Sequence, residues 1–502
     1  MKKTYIYNII LLTSALLITS CSKFLEEKDK DKVIPRTTEQ YEAFMHQEAF
    51  LKTTWFYPSD LMTDDVEENY NATTDEKNTY KNLYTWKRDI EYDGSGSYTT
   101  TPNRSWTQLY NDILIANYVI ENVATVEEGT QAEIEYLEAE AYFLRARSYL
   151  ELAQIYCPVY DASSASTQLG VPLRLDTGVK NTYTRNTLSE VYDQVLSDIN
   201  SSITLFQSSG KEQVSRWHPS EKAARLLLTR TYLYMGRWED CINASTILIG
   251  MCPAGLWNLP QNIDKTFVND NNPEIFHSYG QTSTLITENN DNSLWSNDVP
   301  KLYKGSTSDV AYGLSNELES MYWTGDARLQ KYIINATGKD IHAKWHSKFT
   351  SLGAYNYRLS EAYLNRAEAL AAVGRCEEAL TDVRTLIEKR VSDPSAVVYP
   401  SASDQLSVRK FVLDERRREF VGETHRWYDM RRTTSWYPKT VTHAFTQRTG
   451  SNTSGSGTVG ETEIYTLLPD DPNFIFELPK AETDINDDIE IYGKRVDHNA
   501  AM

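Results

Sequence analysis

Apolar residues recur at helical spacing along most of the chain and lose that spacing in one long stretch near its middle. Tyr41, Phe44 and Met45 predict a first helix within 38–50. From Trp106 the segment WTQLYNDILIANYVIENV sets Trp106, Leu109, Tyr110, Ile113 and Ile120 on one face, with Asn117 among them as a hydrogen-bonded core residue. A longer helix is predicted over 131–156, with Ile134, Leu137, Ala141, Leu144, Leu152 and Ile155 in phase and Pro158 to end it. Thr187 and Glu190 form a capping box for a helix over 188–206, whose face is Val191, Tyr192, Val195, Ile199 and Ile203. Ser220 stands where it would cap the next helix, 221–235.

The same pattern then occurs twice. In 357–373, Tyr363, Ala367, Leu370, Ala371 and Val373 share a small-apolar face that ends at Gly374. Ala379, Leu380, Val383, Leu386 and Ile387 carry a second helix that stops before Asp393 and Pro394. At 221–249, aligning Gly236 on Gly374 puts Met235 on Val373, Arg237 on Arg375, Asp240 on Glu378 and Cys241 on Ala379. A helix pair hinged at Gly and repeated in one chain predicts stacking, because no single pair can bury its own face. The predicted fold is therefore mostly α, a tetratricopeptide-like helical-repeat scaffold with long loops and a few short strands.

Two stretches escape the period. Residues 58–102 are polar and hold Asp64, Asp65, Trp86, Tyr92, Tyr98 and the flexible Gly94-Ser95-Gly96. Residues 251–356 mix Asn, Asp, Ser and Gly with Trp257, Trp295, Tyr303, Tyr312, Tyr322, Trp323 and Trp345; a segment this long without periodicity reads as functional. Residues 449–462 read as a flexible surface loop, and 465–468 and 474–479 as two short strands joined through Asp470-Asp471-Pro472-Asn473.

The segment 411–432 reads as one long charged helix docked on the repeats. It carries six arginines (416, 417, 418, 426, 431, 432) and five acids (414, 415, 419, 423, 429). Asp414 faces Arg418 at i+4, while Glu415 faces Arg418 and Glu423 faces Arg426 at i+3. Glu415, Glu419 and Glu423 also recur every four residues, as metal ligands could. The arginines interleaved among them favour ion pairs, so Arg416, Glu419, Glu423, Arg426 and Asp429 are assigned to a structural network.

Charge and composition narrow the functions. A formal net charge of −19 argues against nucleic acid or an anionic membrane surface as the main partner, and 40% hydrophobic content suffices for a large core. Tyrosine (33) outnumbers phenylalanine (14), which suits wet contact surfaces as well as packing between helices. Of the cysteines at 21, 157, 241, 252 and 376, no two are spaced as C-x-x-C, and no zinc-ligand spacing with His occurs. Cys241 and Cys376 lie among alanines as small apolar residues, and a 241–252 disulfide stays open. Lys2, Lys3, the apolar run 9–18 and Thr19-Ser20-Cys21 read as a secretory signal, the run being too short to span ~30 Å of hydrocarbon.

RRREF, then Glu423, then HRWYDMRR (416–432) resembles the signature of the SusD/RagB family of outer-membrane nutrient-binding lipoproteins of Bacteroidetes. EAYLNRAEAL, EAEAYFLRARSYLELAQIY with the later GVPL, W-x-x-LY with its later AN, CSKFLEEKDKDK and SNELESMYWTGDARL are similar to other segments of that family. The chain departs from it at Cys157, where a glycine is usual, and in its C-terminal tail. The resemblance implies a lipoprotein signal peptide (1–20), lipidation at Cys21, a SusD-like N-terminal part (21–210) and a RagB/SusD C-terminal part (211–502), with 22–502 as one compact body. It also implies a cell-surface, lipid-anchored protein of the outer membrane, touching the membrane through its lipid only. Such a protein captures an oligo- or polysaccharide and delivers it to a TonB-dependent, SusC-like transporter; the family's peptide-capturing members give the alternative.

Catalytic patterns are missing: no GxSxG, HExxH or Walker lysine loop occurs, so the chain reads as no enzyme. No cofactor is expected; the Asp/Asn runs at 269–272 and 288–292 could offer oxygens to calcium, without EF-hand spacing. Sugar rings present flat C–H faces to indole and phenol, with Asp and Arg taking the hydroxyls. The ligand site is accordingly expected where 60–104 meets 290–325, with Trp86, Tyr98, Trp295 and Tyr303 as platforms and Asp64, Asp65 and Arg104 as hydroxyl partners. For the anchor, Cys21→Ala should release the protein from the membrane fraction or leave its signal uncleaved; unchanged retention of a cleaved chain would refute lipidation at this cysteine.

Overall fold

Small-apolar faces that no helix pair can cover alone are buried by stacking. The computed structural model describes residues 35–51, 58–70, 72–98, 103–178, 183–282, 303–304, 311–335, 352–450 and 457–500. The longer helices are α1 (Thr38–Met45, continued by a π turn His46–Phe50), α2 (Ser105–Asn122), α3 (Gln131–Tyr156), α4 (Leu188–Ser209), α5 (Glu221–Tyr234), α6 (Trp238–Gly250), α7 (Leu359–Ala372), α8 (Cys376–Ile387), α9 (Gln405–Glu419) and α10 (His425–Arg432). Helix α3 packs between α2 and α4, α4 packs on α5, and α6 packs on α7, so the two hinged pairs α5–α6 and α7–α8 stack as repeats. Their hinges, Gly236 and Gly374, sit at φ 68° and 85°, a region costly to any residue with a Cβ. The capping box at Thr187 and Glu190 is formed, and Thr130 with Glu133 makes another at the start of α3. Ser220 stands at the N-cap of α5, but its hydroxyl makes no capping bond. Among the described residues no helix is long and apolar enough to cross a membrane, and Cys157, Cys241, Cys252 and Cys376 are free thiols.

Short strands connect the helical layers. β1 (Val66–Glu68) pairs antiparallel with β4 (Tyr312–Leu314), and β2 (Ile275–Thr282) with β6 (Gly353–Arg358). Two-residue strands β3 (Tyr303–Lys304) and β5 (Ile334–Asn335) run parallel. β7 (Val441–Thr449) pairs antiparallel with β8 (Thr458–Leu467). The hairpin expected between 465–468 and 474–479 is thus replaced: β8 turns back onto β7, and Pro472–Phe474 forms a 3-10 turn. β7 buries Val441, His443 and Phe445 in alternation; the histidine in that row blurred the apolar period.

The charged segment is two helices, not one. Gly422 and Thr424 both adopt positive φ (70° and 67°), and the turn between α9 and α10 re-aims the second half. Glu415 and Arg418 pair at 2.8 Å as the i+3 spacing predicts. Glu423 does not meet Arg426: it binds Arg358 at 2.7 Å, while Arg426 clamps Asp64 through two bonds of 2.8 Å. Arg416 meets Asp429 at 3.2 Å, and Arg432 bonds both Asp429 and Glu368.

Glu419, wholly buried, is the centre of this network. Arg390 reaches it at 2.9 Å and Arg328 at 3.2 Å, and Arg358 bonds it as well. Arg328 also holds Asp326 (2.8 Å) and Glu415 (2.7 Å), and Arg390 holds Glu274 (2.8 Å). Burial alone would raise the pKa of Glu419, but Arg390, Arg358 and Arg328 outweigh it and hold the carboxyl well below the usual range. A carboxyl depressed in the folded state contributes stability above its unfolded pKa of about 4.3 and loses it as pH falls through the folded value. Glu419→Gln should therefore cost about 3–5 kcal/mol in denaturant unfolding at pH 7. The deficit should shrink below about pH 4; a variant as stable as the parent at pH 7 would show that the arginines do not need this partner.

Candidate ligand-binding site

The pairing of β1 with β4 joins the polar stretch after residue 60 to the segment around 312–316. Ser315 Oγ donates to Asp64 O at 2.6 Å, and Asn316 Nδ2 to Glu67 at 2.7 Å. The side chains expected to face a ligand there mostly do other work. Trp86 is no platform: it is fully buried, at φ 52°, with Nε1 donating to Met62 O (2.9 Å) and its ring stacked on His443 at 4.3 Å. Asp64 and Asp65 are not hydroxyl partners. Both are buried, Asp64 held by Arg426, Arg417 and Lys439, and Asp65 by Arg417. Burial would raise the Asp64 carboxyl, yet Arg426 and Arg417 keep it well below its ordinary pKa, whereas burial leaves that of Asp65 raised. The adjacent pair is a clamp that fixes this loop to α9 and α10. Tyr98 is exposed and meets Tyr92 edge-on at 5.5 Å; Arg104 is half-buried at the N-cap of α2. Trp295 and the Tyr303 side chain lie outside the described residues. The five described residues of the seven therefore do not form one ligand-facing surface.

Aromatic and polar side chains converge instead at the junction of the repeats with the β2–β6 ribbon. There a cavity of ≈ 40 Å³ is lined by Gln154 of α3, Arg230 and Tyr234 of α5, Tyr279 of β2, Tyr355, Asn356 and Tyr357 of β6, and Tyr428 of α10. A second cavity of ≈ 30 Å³ shares Gln154, Tyr234 and Tyr428 with it. The first holds a few waters rather than a whole sugar ring. Tyr279 and Tyr355 are cross-strand partners with ring centroids 5.2 Å apart, and the Arg147 guanidinium lies 4.3 Å from the Tyr279 ring. Gly353 makes this approach feasible: a Cβ there would come within 2.3 Å of Tyr279 O.

Several charged side chains at this cavity have protein partners. Glu361 holds Arg230 (2.6 Å), Arg358 holds Glu423 (2.7 Å), and Glu151 accepts from Tyr279 Oη (3.2 Å). Gln154 Nε2, Asn356 Oδ1 and Tyr357 Oη, in contrast, are buried without a protein hydrogen-bond partner. Buried polar atoms are rarely left so, and several at one cavity mark a place for waters or ligand hydroxyls. Sequence reasoning did not single out these residues; the alternation Tyr355-Asn356-Tyr357 directly before a repeat helix was the available signal. Of the calcium candidates, 269–272 form a turn in which Asn269 Oδ1 and Asn272 Oδ1 accept from the backbone of Asn271 and Glu274, and 288–292 lie outside the described residues.

Comparison with known proteins agrees with this architecture. A family profile described as "Starch-binding associating with outer membrane" matches residues 23–233, and one described as "SusD family" matches 274–490. SusD-like protein P38 of Formosa agariphila is 22% identical over 488 residues, covering 84% of this chain and 90% of that protein. A SusD superfamily protein of Bacteroides thetaiotaomicron superposes with a TM-score of 0.65 at 20% identity, covering 91% of this chain and 99% of the other. A SusD-like carbohydrate binding protein of Bacteroides vulgatus gives 0.65 at 18%, covering 92% and 98%. Profiles matching both halves of the chain, together with the repeat scaffold and the arginine-rich helices, establish that it belongs to the SusD/RagB family.

Proposed function

We propose that the protein is a surface-anchored glycan-binding component of a nutrient-uptake system, which captures an oligo- or polysaccharide and passes it unaltered to a TonB-dependent outer-membrane transporter. The observation that carries this reading is the cavity where the Tyr279 and Tyr355 rings meet the unpartnered amide and hydroxyl groups of Gln154, Asn356 and Tyr357. Neutral donors and acceptors beside flat rings suit a ligand with many hydroxyls and no charge. The name of the Bacteroides vulgatus neighbour and the starch-binding description of the N-terminal profile support the same class. Because the cavity is small, the ligand lies across its mouth, half-exposed Tyr355 stacking on a ring and a hydroxymethyl group entering toward Asn356.

Two ring contacts of ~1–2 kcal/mol each, with a few hydroxyl bonds, work against an association cost of at least ~4 kcal/mol. That places the affinity toward the millimolar end, which suits capture followed by release. Calorimetry of the mature chain against a panel of glycans and peptides tests the reading. Tyr355→Ala should weaken glycan binding roughly 5- to 30-fold, the equivalent of ~1–2 kcal/mol, with little change in Tm. Loss on Tyr98→Ala in its place would move the site to the 92–98 turn, and binding of peptides alone would overturn the ligand class.

A further inference from the structure

Away from that cavity, the first helix meets α3 and the loop before α5 at a cluster of imidazoles and carboxylates. His46 opens the π turn after α1, Glu140 lies in the middle of α3, and His218 stands in the loop preceding α5. Their nearest ligand atoms all lie within 4.8 Å of one another. His218 Nδ1 is 2.9 Å from Glu140 Oε1 and 3.4 Å from Glu42 Oε1, and His46 Nε2 is 3.8 Å from Glu140 Oε1. Donors round one tetrahedral zinc ion stand about 3.3 Å apart, so small shifts bring these to coordination distance.

Two further observations point to a ligand. His46 Nε2 and Glu140 Oε2 are buried without a hydrogen-bond partner, in residues 8% and 0% exposed. The two imidazole rings lie 3.8 Å apart between centroids, close enough for both to reach one ion. Two carboxylates with two neutral imidazoles balance a divalent cation. Glu42, four residues before His46 on the same helix face, is the more exposed donor and leaves a way in from solvent.

We propose that His46, Glu140 and His218, completed by Glu42, bind a first-row divalent transition metal of the zinc type. Imidazole with carboxylate in a four-donor set suits zinc better than calcium, which takes six or more oxygens. The ion staples the N-terminal helix to α3 and to the loop before α5, and so fixes the body to the segment through which an N-terminal anchor would hold it.

The tag-free mature chain, loaded with zinc chloride and dialysed, should retain one zinc per molecule by elemental analysis. Zinc should also raise its Tm by a few degrees, reversibly with EDTA. Cobalt(II) in place of zinc should give the visible absorption of a tetrahedral site. His46→Ala and Glu140→Gln should each weaken zinc binding at least ~100-fold, since even outer-shell changes cost 10- to 100-fold. The His46 variant should keep the parent's circular dichroism and its Tm in EDTA; if Glu140→Gln does not fold, His218→Gln replaces it. No stoichiometric zinc on the parent chain, or equal binding by His46→Ala, would overturn the proposal.

Discussion

Burying Glu419 among Arg328, Arg358 and Arg390 is the constraint that the rest of the structure must satisfy. A carboxylate with no exposed surface is tolerable only if every lone pair meets a donor, and guanidinium groups so deep need the same from carboxylates. Those partners come from separate parts of the chain. Arg328 follows the β4 segment, Arg358 ends β6, Arg390 ends the second repeat pair, and Glu274 precedes β2. Each must arrive in register or leave a charge uncompensated. Phe267 and Phe420 lie against the arginines, which places the network between the main core and the smaller one around Phe267, Leu318 and Tyr332. An apolar cluster tolerates sliding, whereas a set of bidentate ion pairs does not.

The same network positions the cavity. Arg358 closes β6 and bonds Glu423 at the cavity wall, so the strand carrying Tyr355, Asn356 and Tyr357 is pinned at its end. Glu361, in the first turn of α7, holds Arg230 of α5 against the Tyr357 ring at 4.7 Å. The repeats thus act as a rigid back wall, and the β2–β6 ribbon as a shelf of tyrosines resting on it.

What the sequence discloses divides along the same line. Hinges at Gly236 and Gly374, the capping box at Thr187 and the small-apolar faces are local patterns, and local patterns survive into the structure. The break between α9 and α10 was hidden because charges at i+3 and i+4 look alike in one helix and in two. Only the position of Arg358, far upstream, reveals that Glu423 must turn away from Arg426. Asp64, Asp65 and Trp86 show the complementary difficulty. In a polar stretch, composition marks them as exposed, yet the arginines that bury the first two stand in α9 and α10, and the ring that covers Trp86 belongs to His443. The tyrosine shelf was equally obscure, since Tyr279 and Tyr355 become neighbours only through strand pairing.

A scaffold held by so many ion pairs leaves a particular kind of surface for recognition. At the cavity the charged side chains Arg230, Glu423 and Glu151 have protein partners, and a glutamine, an asparagine and a tyrosine each carry an atom without a protein hydrogen bond. On the proposed reading, such a cleft would discriminate by ring shape and hydroxyl placement. Electrostatics fixes the frame, and the tyrosine-lined cavity is what that frame holds in place.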